Sequence, residues 1–107
     1  MYYNAFLSPD IFQGDHLKVE PKFNSLSVLN VNVRSLKLHL EKLEALVLSL
    51  ESSPDVLCLT ETWMTDNDDP KLFLVNGYTQ YIAKNRATLG GGVMIQVKSS
   101  CKIIEWV

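Results

Sequence analysis

A helical pattern between two short apolar segments constrains the fold of this chain more than any other feature of its sequence. Residues 26–31 are rich in apolar and β-branched side chains, and residues 56–60 are almost continuously apolar, so both predict strands. Between them, apolar residues recur at intervals of four, three, four and three, the stripe of an α-helix. The stripe consists of Leu36, Leu40, Leu43, Val47 and Leu50. This order predicts a βαβ unit, in which a crossover helix joins two parallel, adjacent strands.

Local signals give the limits of the predicted helix. Ser35 precedes the first apolar position and belongs to a residue type that caps helix N-termini. Residues 52–55 contain Pro54, and proline cannot continue a helix. A helix of about 16 residues spans about 24 Å. A six-residue strand spans about 20 Å. One such helix therefore returns the chain to the start of a parallel neighbouring strand.

The βαβ order brings two polar residues to one edge of the predicted sheet. Asn32 and Glu61 fall at the carboxyl ends of the two parallel strands, which is the edge where open α/β sheets bind ligands. An unpaired carboxylate after an apolar strand is costly, so Glu61 must reach water, a cation or a metal ion. Asn32 is expected either to hydrogen-bond a phosphate oxygen or to cap the following turn.

The rest of the chain predicts strands and loops. Residues 1–24 show no sustained period and are interpreted as an irregular leader, with a short strand or turn near residues 6–12. Residues 73–75 and 78–82 are strand candidates on either side of an Asn-Gly turn. Residues 78–82 and 93–97 are expected to form an antiparallel hairpin with a basic, glycine-rich loop. A last strand is predicted at residues 102–106.

Two loop segments suggest ligand binding but have simpler interpretations. The run Asp66-Asn67-Asp68-Asp69 lacks the glycine and glutamate of a calcium-binding EF-hand loop and is interpreted as a solvated loop. Residues 90–92 are three glycines, but phosphate-binding glycine loops normally open a helix, whereas a strand follows here. We favour a hairpin with positive φ angles. Arg86 and Lys84 beside it are candidates for contact with a nucleic-acid backbone.

Charge and cysteine content exclude several classes of protein. Ten Lys and Arg residues against twelve Asp and Glu residues leave a formal charge of −2, which excludes a strongly basic chromatin protein. Two cysteines do not make the disulfide framework of a small secreted domain, and Cys58 is interpreted as a core residue. No apolar run approaches the roughly 20 residues of a membrane span, and the N-terminus lacks signal-peptide features. The sequence predicts one intracellular domain, in the nucleus or the cytoplasm.

An ordered series of short motifs resembles a known enzyme superfamily. The series runs Asn32-Val33-Arg34-Ser35-Leu36, then residues 53–63 (SPDVLCLTETW), then Gly77-Tyr78, Arg86, and Gly90-Gly91-Gly92-Val93 with Ile95 and Val97. In this order and spacing it resembles the start of the endonuclease/exonuclease/phosphatase superfamily. More narrowly, it is similar to the endonuclease domain of jockey/CR1-like non-LTR retrotransposons. The resemblance covers about residues 26–107 and predicts a partial domain over residues 25–107.

The resemblance implies a fold and a chemistry. The fold is α/β, and these residues would form the N-terminal portion of a four-layer α/β sandwich. The activity is hydrolysis of DNA phosphodiester bonds with Mg²⁺, or alternatively Mn²⁺. Glu61 would be the metal-binding glutamate, and Asn32 would position the phosphate and the nucleophile, with Asn30 as a less favoured alternative. Both would be catalytic residues, and DNA would be the partner of the full-length family member.

The sequence also departs from the family pattern. The later motifs, which supply a tyrosine, a G-D-x-N segment and an S-D-H segment, are not found: no histidine follows His39 and no aspartate follows Asp69. The family's second sheet, which would cover the open face of this one, is also expected to be absent. We therefore expect these residues to be inactive alone and to self-associate through an uncovered sheet. The alternative is a non-catalytic binding module derived from the same fold.

Overall fold

The predicted βαβ unit is present in the computed structural model of the chain. The structure describes residues 2–8, 12–13, 17–20, 26–85 and 90–106, with side chains described within residues 26–85 and 90–101. Its elements are β1 (Tyr2–Ser8), β2 (Phe12–Gln13), β3 (Leu17–Glu20), β4 (Leu26–Asn32), α1 (Leu36–Ser49), β5 (Val56–Thr60), a 3-10 helix (Pro70–Phe73), β6 (Tyr78–Lys84), β7 (Val93–Lys98) and β8 (Lys102–Trp106).

The strands form a mixed sheet, so the predicted α/β class is confirmed. Five strands lie in the order β1-β4-β5-β7-β6. Strands β4 and β5 are parallel neighbours, as the crossover helix predicts, and every other pair in this sheet is antiparallel. The predicted hairpin is also confirmed, because β6 and β7 pair antiparallel with Ile82 opposite Ile95.

Helix α1 covers one face of this sheet through the predicted stripe. The side chain of Ser35 accepts a hydrogen bond from the Leu38 amide at 3.3 Å, which confirms the predicted N-cap. Leu36, Leu43 and Val47 are buried, and they pack with the sheet side chains that alternate toward the helix. These sheet residues are Leu29, Val31, Leu57, Leu59 and Met94. None of the helices in the described ranges is long and apolar enough to cross a membrane.

The opposite face of the sheet has its own smaller cluster. Val28, Val56 and Val97 are buried there, while Cys58, Ile82 and Ile95 are half-buried. Strand β5 thus contributes buried side chains to both faces, as its continuous apolar run predicts. Burial raises the pKa of the Cys58 thiol from its ordinary value to about 11. Self-association through this face stays a prediction.

This pKa predicts that Cys58 is a poor nucleophile in the folded protein. At pH 8 its thiolate fraction is roughly 100-fold below that of a cysteine with the ordinary pKa. We expect iodoacetamide to modify Cys58 roughly 100-fold more slowly in the native chain than in urea, as measured by mass spectrometry of the peptide that contains it. Equal rates in the two conditions would contradict the burial of this thiol.

A polar cluster closes the sheet at the edge where β5 begins. The Asp55 carboxylate accepts hydrogen bonds from the amide and the hydroxyl of Ser27 at 3.0 and 3.4 Å, and its backbone carbonyl accepts from the Lys98 amide at 2.9 Å. The Tyr78 hydroxyl donates to the Pro54 carbonyl, and burial together with the nearby Asp55 charge raises the pKa of Tyr78. These bonds join β4, β6, the end of β7 and the residues just before β5, at the edge opposite to Asn32.

The interpretation of residues 1–24 as irregular is wrong. Strand β1 lies along the outer edge of β4 with Tyr2 opposite Asn32 and Ser8 opposite Leu26. Strands β2 and β3 form a separate three-stranded sheet with β8, so a second sheet is present as well. Pairing with β4 supplies hydrogen bonds to the β1 backbone, and this tertiary contact does not require an alternating pattern in the strand. The domain boundary near residue 24 stays a prediction.

The strand predicted at residues 73–75 is also wrong. A 3-10 helix occupies Pro70–Phe73, because Pro70 suits the first helical position and the Asp69 side chain accepts from the Lys71 amide at 3.0 Å. The Val75 amide donates to the side chain of Gln96 at 2.8 Å rather than to a neighbouring strand. This segment therefore crosses the helix-covered side of the sheet without joining it.

Candidate functional site

The predicted convergence of Asn32 and Glu61 at one edge of the sheet is observed. Asn32 is the last residue of β4 and lies opposite Thr60, the last residue of β5, and Glu61 follows directly. The Val33 amide donates to the Thr60 carbonyl at 3.0 Å, so the two chains stay paired as they leave the sheet. The ends of two parallel strands thus present an amide and a carboxylate at the edge where α/β sheets bind ligands.

The start of helix α1 forms backbone hydrogen bonds with the residues that follow β5. The Ser35 amide donates to the Glu61 carbonyl and the Leu36 amide donates to the Thr62 carbonyl, both at 3.0 Å. The side chain of Thr62 is buried. The backbone of residues 61 and 62 is therefore tied to the turn that begins the crossover helix.

The glycine segment before β7, residues 90–92, also forms backbone hydrogen bonds with the residues that follow β5. The Thr62 amide donates to the Gly92 carbonyl at 3.2 Å, and the Trp63 amide donates to the Gly91 carbonyl at 2.9 Å. Gly90, Gly91 and Gly92 have φ angles of 82°, 81° and 93°, so the interpretation of this segment as a hairpin with positive φ is confirmed. The segment continues the pairing of β5 with β7 beyond the sheet.

Backbone strain is concentrated around these contacts. Arg34, Ser35, Glu61 and Trp63 have φ angles of 44°, 83°, 55° and 56°, in the left-handed region that disfavours residues with a Cβ atom. Such conformations cost about 1 to 3 kcal/mol each and persist only where the surrounding contacts determine them. They are the non-glycine residues with positive φ in the part of the chain that the structure describes. Strain of this kind is typical of binding and catalytic sites.

One oxygen of the Glu61 carboxylate receives two hydrogen bonds. Oε2 accepts from the Trp63 indole Nε1–H and from the Gly91 amide, each at 2.8 Å. The Gly91 amide first, then the Trp63 indole, and finally the charge of Arg34 lower the pKa of Glu61 against the opposing effect of desolvation. Glu61 is therefore ionised at neutral pH. Its other oxygen, Oε1, receives no hydrogen bond from residues 26–85 or 90–101, and the side chain is partly exposed.

The carboxylate at this edge belongs to a chemical type that binds divalent cations. An ionised carboxylate oxygen is a hard ligand of the kind that Mg²⁺ prefers, and Mg²⁺ commonly uses one or two carboxylates together with phosphate oxygens and water. Within the described residues, no group of three His, Cys, Asp or Glu side chains stands ready to hold a metal. The single ionised carboxylate is compatible in its chemistry with Mg²⁺, and the described residues form no closed protein cage around it.

Asn32 shares a face of the sheet with the predicted nucleic-acid contact at Lys84. The cross-strand partners Asn32, Thr60, Val93 and Lys84 form one row across β4, β5, β7 and β6. Three strand spacings place Lys84 about 14 Å from Asn32. Asn32 is half-buried with its Oδ1 atom inside the protein, whereas Thr60, Val93 and Lys84 are exposed.

The other predicted site residues are less well placed. Asn30 pairs with Cys58, one row further into the sheet, so the edge position favours Asn32 over this alternative. Arg86 lies outside the described residues. His39, which the sequence does not assign to the site, belongs to α1, and its Nδ1–H donates to the Val33 carbonyl at 2.6 Å.

The acidic run after Trp63 forms turns, as its interpretation as a loop predicts. Asp68 pairs with Lys37 at 2.7 Å and accepts from the Thr65 amide at 2.8 Å. These contacts, led by the one with Lys37, lower the pKa of Asp68. Asp66 accepts from the Asn85 side chain at 3.1 Å. The carboxylates are thus engaged with the protein.

Two residues that shape the site were not assigned a role from the sequence. Trp63 follows Glu61 by two positions and Gly91 follows it by thirty, and both donate to the same carboxylate oxygen. An indole two residues after an isolated carboxylate is a signal that sequence reading can detect. The Gly91 contact has no local signal, because only the pairing of β5 with β7 creates it.

Comparison with family models, with curated proteins and with solved structures finds no match for this chain.

Proposed function

We propose that the edge formed by Asn32 and Glu61 is the metal-binding side of a Mg²⁺-dependent phosphodiesterase site. More narrowly, we propose that these residues are the N-terminal portion of a DNA endonuclease of non-LTR retrotransposon origin. The observation that carries the proposal is the Glu61 carboxylate at the carboxyl ends of parallel strands, which has one oxygen fixed by two N–H groups and the other without a hydrogen bond from residues 26–85 or 90–101. The motif order described above supports the choice of enzyme family.

The chemistry assigned to each residue follows from its position. Bound Mg²⁺ would supply charge neutralisation at a phosphate oxygen. Glu61 would bind the cation through Oε1, and the neutral amide of Asn32 would donate to a phosphate oxygen without adding a second negative charge. Lys84 would meet a neighbouring backbone phosphate at the far end of the same row. With a net charge of −2, the chain has no general attraction for DNA beyond such local contacts.

We propose in addition that these 107 residues bind the cation without hydrolysing DNA. Activation of water needs a general base within hydrogen-bond reach of it. His39 is turned to the Val33 carbonyl, and the described carboxylates after Trp63 are engaged in the loop that contains Asp68. No aspartate or histidine follows in residues 70–107.

The test is a titration of the ¹⁵N-labelled chain with Mn²⁺, which broadens the NMR signals of nearby amides. We expect broadening centred on the amides of Trp63 and Gly91, and competition by Mg²⁺. Glu61→Gln should weaken this binding by about 10-fold or more, because it removes the charge and keeps the size of the ligand. Glu51→Gln, a change at an exposed glutamate after α1, is the matched control and should leave binding unchanged.

Three results would contradict the proposal in whole or in part. Equal Mn²⁺ affinity of the wild type and Glu61→Gln would remove Glu61 as the ligand. Mg²⁺-dependent nicking of a supercoiled plasmid by the purified chain, if it is abolished by Glu61→Gln, would keep the site but overturn the expected inactivity. Nicking that is insensitive to this substitution would count against the assigned site.

A further inference from the structure

We propose that Trp63 is a positioning residue for Glu61. Its indole N–H and the Gly91 amide together hold one oxygen of the Glu61 carboxylate, so that a divalent cation binds through the other oxygen alone. The cation part of this inference rests on the proposed function. The positioning of the carboxylate rests on contacts within the protein.

The number of hydrogen bonds that each carboxylate oxygen can accept decides whether a cation binds Glu61 through one oxygen or through both. A carboxylate oxygen has two lone pairs, and Oε2 receives two donors at 2.8 Å each. Bidentate coordination of a cation would need Oε2 to give up one of these donors. Oε1 accepts no hydrogen bond from residues 26–85 or 90–101. A cation that is bound through Oε1 alone therefore leaves every observed hydrogen bond of the carboxylate in place.

The local backbone shows why a tryptophan two residues away can reach this oxygen. Glu61 and Trp63 both have left-handed φ angles, near 55°. The Trp63 amide is bonded to the Gly91 carbonyl, while the Gly91 amide is bonded to Glu61. Gly90 lies beside these two groups, since a Cβ atom built on it would be in ordinary van der Waals contact with Glu61 Oε2 at 3.7 Å and with Trp63 Nε1 at 3.9 Å.

The two donors come from different parts of the chain, and this has a consequence for cation binding. Trp63 lies after β5 and Gly91 lies before β7, so the carboxylate is restrained by two segments that are themselves paired. A carboxylate that is already oriented loses less conformational freedom when it binds a cation. Residues that orient metal ligands in this way typically contribute 10-fold to 100-fold to metal affinity.

The first part of the test uses the metal-free chain and the indole N–H signals of its two tryptophans. In the wild type the Trp63 signal should be shifted downfield and protected from solvent exchange by the bond to Oε2. Glu61→Ala should move it upfield and remove the protection, while Glu61→Gln, which keeps an acceptor oxygen, should retain most of both. The Trp106 indole serves as the internal reference. An unchanged Trp63 signal in Glu61→Ala would overturn the positioning role.

The second part measures Mn²⁺ affinity in Trp63→Phe, which keeps an aromatic ring and removes the donor. We expect the Mn²⁺ affinity to fall about 10-fold. The thermal unfolding midpoint of the variant is measured as well, to show whether it is folded. Wild-type affinity in this variant would overturn the inference while leaving Glu61 as the ligand. If the variant does not fold, the indole signals of the Glu61 variants still decide whether Trp63 is bonded to the Glu61 carboxylate.

The two parts separate failure of this inference from failure of the proposed function. A wild-type chain that binds no Mn²⁺ at Glu61 overturns the proposed function and the cation part of the inference, whatever the indole signals show. A chain that binds Mn²⁺ through Glu61, but whose Trp63 signal and Trp63→Phe affinity do not change, keeps the proposed function and loses the positioning role.

Discussion

Replacing Leu43 with alanine should lower the free energy of unfolding by about 3 kcal/mol. Leu43 is fully buried at the centre of the contact between α1 and the sheet. The substitution removes three carbon atoms from this contact and leaves a cavity that the helix and sheet fill only in part. Urea unfolding followed by circular dichroism measures the change as a lower midpoint with an unchanged slope.

Leu48→Ala is the matched control because it makes the same substitution in the same helix. Leu48 is 83% exposed, so its truncation should change the free energy of unfolding by less than about 0.5 kcal/mol. Alanine also has a slightly higher helix propensity than leucine, which offsets part of any loss. Similar destabilisation by the two variants would mean that α1 presents a different face to the sheet.

The contrast between Leu43 and Leu48 shows what periodicity can predict. Spacing alone predicts the stripe from Leu36 to Leu50, and three of its five members, Leu36, Leu43 and Val47, are buried while the other two are half-buried. The same reasoning predicted the parallel pairing of β4 with β5, since a single crossover helix of this length leaves few other arrangements. Repeating local patterns therefore account for the βαβ unit and for one face of the core.

Pairing between distant segments accounts for what the sequence did not predict. Strand β1 has no sustained alternation, and its place is set by the edge of β4, about two dozen residues away. Strand β8 was predicted as a strand, but its partner β3 was not, because strand propensity does not specify partners. The parallel pairing of β4 with β5 and the hairpin of β6 with β7 were predicted, whereas the partners of β1 and β3 were not.

The candidate site shows the same division. Strand ends predicted the position of Asn32 and Glu61, because parallel strands end at a common edge. The hydrogen bonds to Oε2 depend on the left-handed backbone of Glu61 and Trp63, a conformation that residue types other than glycine rarely indicate. The geometry of the carboxylate was therefore visible only in the structure.

Gln96 is a second contact that sequence patterns did not indicate. It lies in the apolar strand β7 and is fully buried on the face toward α1. Its Oε1 accepts from the Val75 amide and its Nε2 donates to the Phe73 carbonyl, both at 2.8 Å. A glutamine offers an acceptor and a donor at the end of one side chain. These match the two backbone groups at the end of the 3-10 helix, the amide of Val75 and the carbonyl of Phe73.

Replacing Gln96 with leucine should lower the free energy of unfolding by about 3 kcal/mol even though leucine is more hydrophobic. The substitution leaves the buried amide of Val75 and the carbonyl of Phe73 without their partner, and each orphaned group costs about 1 to 3 kcal/mol, partly offset by apolar burial. Urea unfolding gives the total loss. Hydrogen exchange shows where stability is lost, because in the variant the Val75 amide should exchange faster than the amides in the strands of the sheet.

Gln80→Leu is the control for this effect, since the same change is made in the neighbouring strand β6. Gln80 is half-buried and makes one described hydrogen bond, from Nε2 to the Cys101 carbonyl at 3.0 Å. Water can replace this partner, so the loss should be about 1 kcal/mol or less. If Gln96→Leu is no more destabilising than Gln80→Leu, the segment from Phe73 to Val75 is held over the sheet by its apolar side chains. A larger loss at Gln96 shows that one buried amide group carries that attachment.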